Sequence, residues 1–293
     1  MMLKNRWGVV LAILFIFGCS GRTVQTSGNI NRIISTAPSN TEIIADLGLA
    51  HKLVAIDKHS AGILAPEGCS QIPAGLPLLD FFYPDAEVII NLKPDIIIAS
   101  GHNPTGSGED PFRLLREIGI PVVYISMSKS IEDIYNDIAF IADLLQAQDK
   151  GKELINSMKA EITQIAAYNK APVSHSFASV YFEISAAPEM MSFGKDSFIH
   201  DMITIIGARN IFETETWLVM PGAEAVIERN PDIIFTNVNY IDNPIGEIKA
   251  RPGFNHINAV ANNRVYQIDT DSSVRHSARI VLALRQMAEA VHP

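Results

Sequence analysis

One pattern occurs twice in this chain and constrains its fold more than any other feature: EVIINLKPDIIIAS from Glu87 and EAVIERNPDIIFTN from Glu224, 137 positions apart. Each copy reads glutamate, apolar residues, Pro-Asp at the seventh and eighth places after the glutamate, then a further apolar run. The physical unit is a short helix stopped by Pro94 or Pro231, which feeds a buried strand starting at Asp95 or Asp232. LVAID at Leu53 and VYQID at Val265 add a second echo, both ending on an aspartate. A repeat of this kind predicts two lobes of like design.

The rest of the chain fits an α/β reading. Strands are predicted over Arg32–Thr36, Leu53–Asp57, Asp95–Ser100 and Pro121–Ser126, with helices near Ser39–Leu47 and Pro111–Ile118 between some of them, an alternation that argues for parallel sheets covered by helices. From Ser130 to about Tyr168 almost everything is helix-forming, opening on a capping-box-like Ser130 and Asp133. A helix from Gln148 to Tyr168 would be about 31 Å long at 1.5 Å per residue, long enough to cross between lobes. Strand and helix signals then resume over Phe177–Ile184, Ser197–Ile206, Asp232–Asn237 and Arg264–Asp269, and a final helix runs from about Ser277 to Val291. The expected fold is therefore two Rossmann-like lobes with mainly parallel sheets, joined by a long rigid α-helix, with a ligand cleft between the lobes. Its boundaries are 30–147 for the first lobe, 148–170 for the interlobe helix and 171–293 for the second lobe.

The first residues stand apart from the fold. Lys4 and Arg6 precede an apolar run, Trp7 to Phe17, too short for the roughly 20 residues of a spanning helix. Basic, then apolar, then small residues is the layout of a secretory signal. Gly18 before Cys19, with Ile16 further back, resembles a bacterial lipobox, so 1–18 is read as a lipoprotein signal, Cys19 as the lipidation site and 19–29 as a linker; the alternative is a plain signal or a short anchor helix with Cys19 incidental. Cys69 is then the only thiol left, no internal disulfide can form, and an inert loop thiol is the simplest reading of it. At 293 residues with 47% hydrophobic content the chain buries a large core, which excludes disorder. Acids outnumber bases 32 to 23, with no basic run to bind nucleic acid.

These features together resemble the solute-binding lipoproteins of bacterial ABC importers for iron complexes (siderophore or haem) and vitamin B12, the class whose lobes are joined by a helix. The resemblance is carried by APSNTEIIADLGLAHKLVAI (Ala37–Ile56), the two Glu/Pro-Asp units, RPGFNHINAVANNRVYQID (Arg251–Asp269) and SARIVLALRQMAEAVHP (Ser277–Pro293). Ala278 departs from it, where the family commonly has proline. The resemblance implies an extracytoplasmic, membrane-anchored receptor with no catalytic residues, no cofactor and no resident metal, whose partners are a permease dimer and, through it, an ATPase. It also implies that Glu87 and Glu224 dock the permease. A carboxylate in a first helical turn also complements the helix dipole, worth about 0.3–1 kcal/mol, and that alone accounts for either residue singly; the repetition points to docking.

Ligand contacts are expected in loops after the strands: Asp57–Ser60, Ser100–Asn103, Met127–Lys129, Glu183–Ala186, Asn237–Tyr240 and Asp271–His276. Tyr83, Trp217 and Tyr240 are candidate aromatic walls for a large flat ligand, or half-buried core residues. Arg275 is a candidate partner for a ligand anion, and His59 and His102 for a chelated iron. A bare zinc or manganese receptor would need convergent ligands, and the eight histidines are scattered without paired spacing. A hydrolase lacks its G-x-S-x-G elbow, and Gly194-Lys195 lacks the rest of a phosphate loop.

Overall fold

A computed structural model describes residues 29–64, 72–101, 110–167 and 177–292. The signal segment, Cys19, Cys69 and His102 lie outside the described residues.

The first lobe runs β1 (Ile33–Ser35), α1 (Pro38–Asp46), β2 (Leu53–Asp57), β3 (Leu78–Leu79), α2 (Ala86–Leu92), β4 (Ile96–Ser100), α3 (Arg113–Glu117), β5 (Val122–Ile125) and α4 (Ile131–Leu144). Then comes α5 (Gln148–Ala167). The second lobe runs β6 (Ser179–Glu183), β7 (Ser192–Phe193), α6 (Phe198–Ile205), β8 (Arg209–Asn210), β9 (Leu218–Val219), α7 (Ala223–Arg229), β10 (Ile233–Thr236), α8 (Pro244–Ala250), α9 (Asn258–Ala261), β11 (Val265–Gln267), α10 (Thr270–Val274) and α11 (Ile280–Val291).

Two separate parallel sheets result, in the orders β3-β2-β1-β4-β5 and β11-β10-β6-β8, with a small antiparallel ribbon of β7 and β9. Strands β1, β4, β6 and β10 form the centres, and nearly every residue in them is buried. Strands covered on both faces must read as near-continuous apolar runs, which is why the runs after each Pro-Asp are so uniform.

The repeat is structural as well as sequential. Helices α2 and α7 both end on a residue in the left-handed region, Lys93 at φ 45° and Asn230 at φ 43°, and proline follows each. Each Pro-Asp aspartate then stitches the neighbouring central strand: Asp95 Oδ2 accepts from the backbone N–H of Asn31 (2.7 Å) and Arg32 (2.9 Å). Likewise Asp232 Oδ2 accepts from the N–H (2.9 Å) and hydroxyl (2.8 Å) of Ser179. The second echo does not hold. Strand β2 pairs with β1, whereas β11 pairs with β10, the counterpart of β4. LVAID and VYQID thus lie on opposite sides of their central pairs, alike only because both are short strands ending at a polar turn.

The helical stretch divides where Gln146 turns to φ 58°. Ser130 and Asp133 form the expected capping box at the start of α4. Helix α5, 20 residues and so about 30 Å long, folds back on α4 and also packs against α11 and α6. The joint between lobes is more than a rod. One contiguous core contains Ile33, Ile98 and Val123 of the first sheet, Ile138, Met158 and Leu284 of the helices, and Val180 and Phe235 of the second sheet. The opposite faces of the sheets have cores of their own.

Candidate functional site

A cavity of about 520 Å³ lies between the lobes at the carboxyl ends of the central strands. One wall comes from the first lobe: Ala37 to Asn40 at the start of α1, then His59, Phe81, Ser100, Ile125 to Met127, and Asp137 of α4. The other wall is Asp271, Val274, Arg275 and His276, at and just after α10. Of the expected loops, His59, Ser100, Met127, Asp271 and Val274 to His276 therefore line the cavity as the α/β rule requires. Those at 183–186 and 237–240 do not: Glu183 turns inward to accept a bidentate pair from buried Arg251 at 2.6 and 2.9 Å, and Asn237 is buried and donates to the Ser273 hydroxyl at 2.9 Å.

Each lining element is fixed by local chemistry. The turn that presents His59 is held by Asp57, whose Oδ1 accepts from the backbone N–H of His59 (2.8 Å) and Ser60 (3.1 Å). Burial pushes the Asp57 carboxyl up, partly offset by bonds from Ser60 and His59. The His59 ring meets Phe81 edge-on at 6.2 Å. Phe81 is placed by Asp80, which accepts from the N–H groups of Phe82 and Tyr83 (3.0 Å each) and from Lys58 (3.2 Å). The Tyr83 N–H first, then Lys58, holds the Asp80 carboxyl below the usual carboxylate range. His276 stacks edge-on against Phe198 at 4.9 Å.

Arg275 faces the cavity with its guanidinium already engaged. Nη1 is 2.7 Å from Glu42 Oε1 and Nη2 is 2.8 Å from Asp271 Oδ1. Glu42, on α1, is fully buried and also accepts from the Ser277 hydroxyl at 2.5 Å, with Arg279 Nε 3.4 Å away. Burial raises the Glu42 carboxyl above its usual value, against the bonds from Ser277 and Arg275. Sequence reading missed Glu42; its one signal is an acid embedded in the apolar α1 pattern TEIIA. Two further contacts cross between the lobes, the Ile131 N–H donating to Asp201 at 2.9 Å and Lys129 Nζ lying 6.0 Å from the Trp217 ring centre.

The aromatic candidates lie apart from the cavity lining. Tyr83 is 73% exposed. Tyr240 is 63% exposed, and its hydroxyl accepts from the Ala186 N–H at 2.8 Å. Trp217 is half-buried at φ 61°, a region bulky residues seldom enter. Its backbone is tied to Lys195 and Gly194 at 2.8 Å each, and Gly194 is required there because a Cβ would lie 2.2 Å from the Glu215 carbonyl. Glu87 and Glu224 are both exposed in the first turns of α2 and α7, and neither pairs with a cation among the described residues. Among the described residues no group of three or more potential ligands gathers for a metal ion, and no helix is long and apolar enough to cross a membrane.

Residues 33–272, which span both sheets and the whole first-lobe wall of the cavity, match the family described as periplasmic binding protein. The chain belongs to that family. An ABC transporter substrate-binding lipoprotein of Bacillus subtilis, YvrC, is 29% identical over 277 residues, covering 94% of this chain and 84% of its own. The vitamin B12-binding protein of Vibrio parahaemolyticus is 28% identical over 269 residues, covering 89% of each. A solved structure from Staphylococcus epidermidis, described as a possible iron-binding (periplasmic solute-binding) protein, superimposes with a TM-score of 0.78 at 30% identity, covering 91% of this chain and all of that one. This periplasmic binding protein thus shares its two-lobed α/β architecture with solute-binding relatives.

Proposed function

We propose that this periplasmic binding protein is a lipid-anchored extracytoplasmic receptor that captures an iron chelate, haem or corrinoid and delivers it to an ABC import permease. The observation that carries this reading is the interlobe cavity, whose walls come from both halves of the chain. Its volume of about 520 Å³ falls inside the roughly 300–1,000 Å³ of small-molecule sites. The names of the relatives supply vitamin B12, iron and the ABC transporter, and the sequence resemblance supplies haem and siderophore; the anchor is inferred from Cys19 behind its lipobox. The lining mixes apolar groups such as Phe81, Ile125 and Met127 with a few polar handles from serine, asparagine and histidine, the composition that suits a large amphipathic ligand. In this reading the receptor, like the binding proteins it resembles, performs no chemistry of its own. Glu87 and Glu224, unpaired at matching places on the two lobes, are the docking carboxylates.

Removal of residues 1–18 leaves Trp217 as the only tryptophan. Its emission is therefore a direct reporter for titration of the processed protein with haem, cyanocobalamin and ferric siderophores. One of these is expected to saturate at one equivalent. Absence of saturable binding to all three, with tight binding of bare zinc or manganese instead, would overturn the proposal.

A further inference from the structure

Arg275 and His276 form the second-lobe wall of the cavity, and Ala37 to Asn40 form the opposite wall at the start of α1. One residue joins the two. Glu42 leaves α1 a turn beyond Pro38 and reaches Arg275 and Ser277, more than two hundred positions away in sequence, at 2.7 and 2.5 Å. Arg279, the residue before α11, approaches the same carboxylate at 3.4 Å. Each Glu42 oxygen therefore has a partner from the other lobe, and the whole side chain is sealed from solvent. An arginine fork accepted by one carboxylate from each lobe, Glu42 and Asp271, is fixed in direction as well as in distance. A fully buried charge is held there only if every partner stays in place.

We infer that Glu42 is a positioning residue for ligand binding: it spans the lobe boundary beneath the cavity, sets the spacing of the two walls and aims Arg275. The inference rests on the cavity being the ligand site. A ligand meets Arg275 only in the orientation Glu42 permits, so Glu42 governs affinity without touching the ligand. The Lys129–Trp217 contact lies on the same boundary, which makes Trp217 emission a gauge of lobe placement that needs no ligand.

The test uses the processed protein and Glu42→Gln, which keeps the side chain's size and removes its charge. Circular dichroism and urea melts establish that the variant is folded under the titration conditions. The variant is expected to shift Trp217 emission in the absence of ligand and to weaken the probe that the native protein binds, among haem, cyanocobalamin and ferric siderophores, by about tenfold. A folded Glu42→Gln protein with native affinity overturns the inference. Should Glu42→Gln fail to fold, Ser277→Ala removes one of the bonds and leaves the ion pair; a loss of about threefold with an emission shift is then expected, and native affinity again overturns the inference. Should the native protein bind none of the probes, the proposed function fails by itself, and emission alone decides the role of Glu42: a shift supports its spanning the boundary, and an unmoved spectrum overturns it.

Discussion

Replacing Gly151 by alanine would test whether α5 is the close-packed frame element the fold requires. A Cβ at Gly151 would lie 2.5 Å from the Ala142 Cβ on α4, where carbon–carbon contacts are comfortable at about 3.5–4.0 Å. Two effects oppose each other. Alanine in a helix interior is favoured over glycine by about 1 kcal/mol. The added methyl must push α5 off α4 by about 1 Å, and overpacking of a filled core costs about 1–3 kcal/mol. Ala142 is 1% exposed and packs in the shared core, so there is no slack on that side, and the steric term wins. The expected net loss is about 1 kcal/mol. Ala142→Gly alone should lose about 2 kcal/mol, from helix propensity and one buried methyl group. In the double variant the methyl moves from one helix to the other and the clash disappears, so the loss should be under about 1 kcal/mol and the coupling about 2 kcal/mol. Urea denaturation of the four proteins at neutral pH measures the cycle. A Gly151→Ala protein more stable than the native one, or a coupling near zero, would refute the close approach of α4 and α5.

Two further expectations follow from the repeat. Glu87→Ala combined with Glu224→Ala should leave ligand affinity intact and lower stability by no more than about 2 kcal/mol, the loss of two helix-dipole contributions; uptake by cells carrying the double variant should collapse, and unchanged uptake would remove the docking role. At Asp232, burial works to raise the carboxyl, but the bonds from the N–H and hydroxyl of Ser179, with Asn258, outweigh it and hold the group below its usual value. A depressed carboxylate stabilises the fold above its unfolded pKa of about 3.9 and loses that contribution as pH falls through its folded value. Asp232→Asn should therefore be less stable than the native protein at pH 7, and the gap in urea midpoints should narrow below about pH 4; a gap that widens with acid contradicts the assignment.

The parts of the fold legible in the sequence are those fixed by neighbours along the chain. Pro94 and Pro231 stop helices, and the residues after them are apolar because a central parallel strand is covered twice, so the repeat could be read directly. Ser130 and Asp133 announced α4 because a capping box is a local bond. The loops that line the cavity followed from the rule that strand ends face the site, although that rule could not separate 271–276 from 183–186. The difference lies in Arg251, which draws Glu183 inward from 68 positions away. Arg275 is legible in the sequence only as a candidate partner for a ligand anion, because its partner Glu42 is 233 positions distant. Residue type and place in the repeat single out Tyr83, Trp217 and Tyr240, and neither criterion distinguishes a cavity wall from a surface outside it. LVAID and VYQID mislead because five residues of strand pattern carry no information about which side of a sheet they join.

The shared core decides how far the lobes can move. Swinging them apart along the seam of α5 and α11 would bring Met158, Ile165, Leu284 and Met287 into water, all of them buried in the common cluster. Each large apolar side chain exposed costs about 1.5–3 kcal/mol, so the four together cost about 6–12 kcal/mol before the Glu42 cluster is disturbed. That is comparable to the entire stability of an ordinary domain, about 5–15 kcal/mol. Opening along this seam is therefore nearly as costly as unfolding, and a cleft built this way keeps its width whether or not it is filled. Two-lobed proteins that close on a ligand concentrate their motion in a few hinge residues that absorb large dihedral changes. Here the connection is twenty residues of packed helix, and the cavity is a product of core packing rather than of closure. Selectivity then rests on the shape and the fixed polar groups of the walls, above all the orientation that Glu42 gives Arg275.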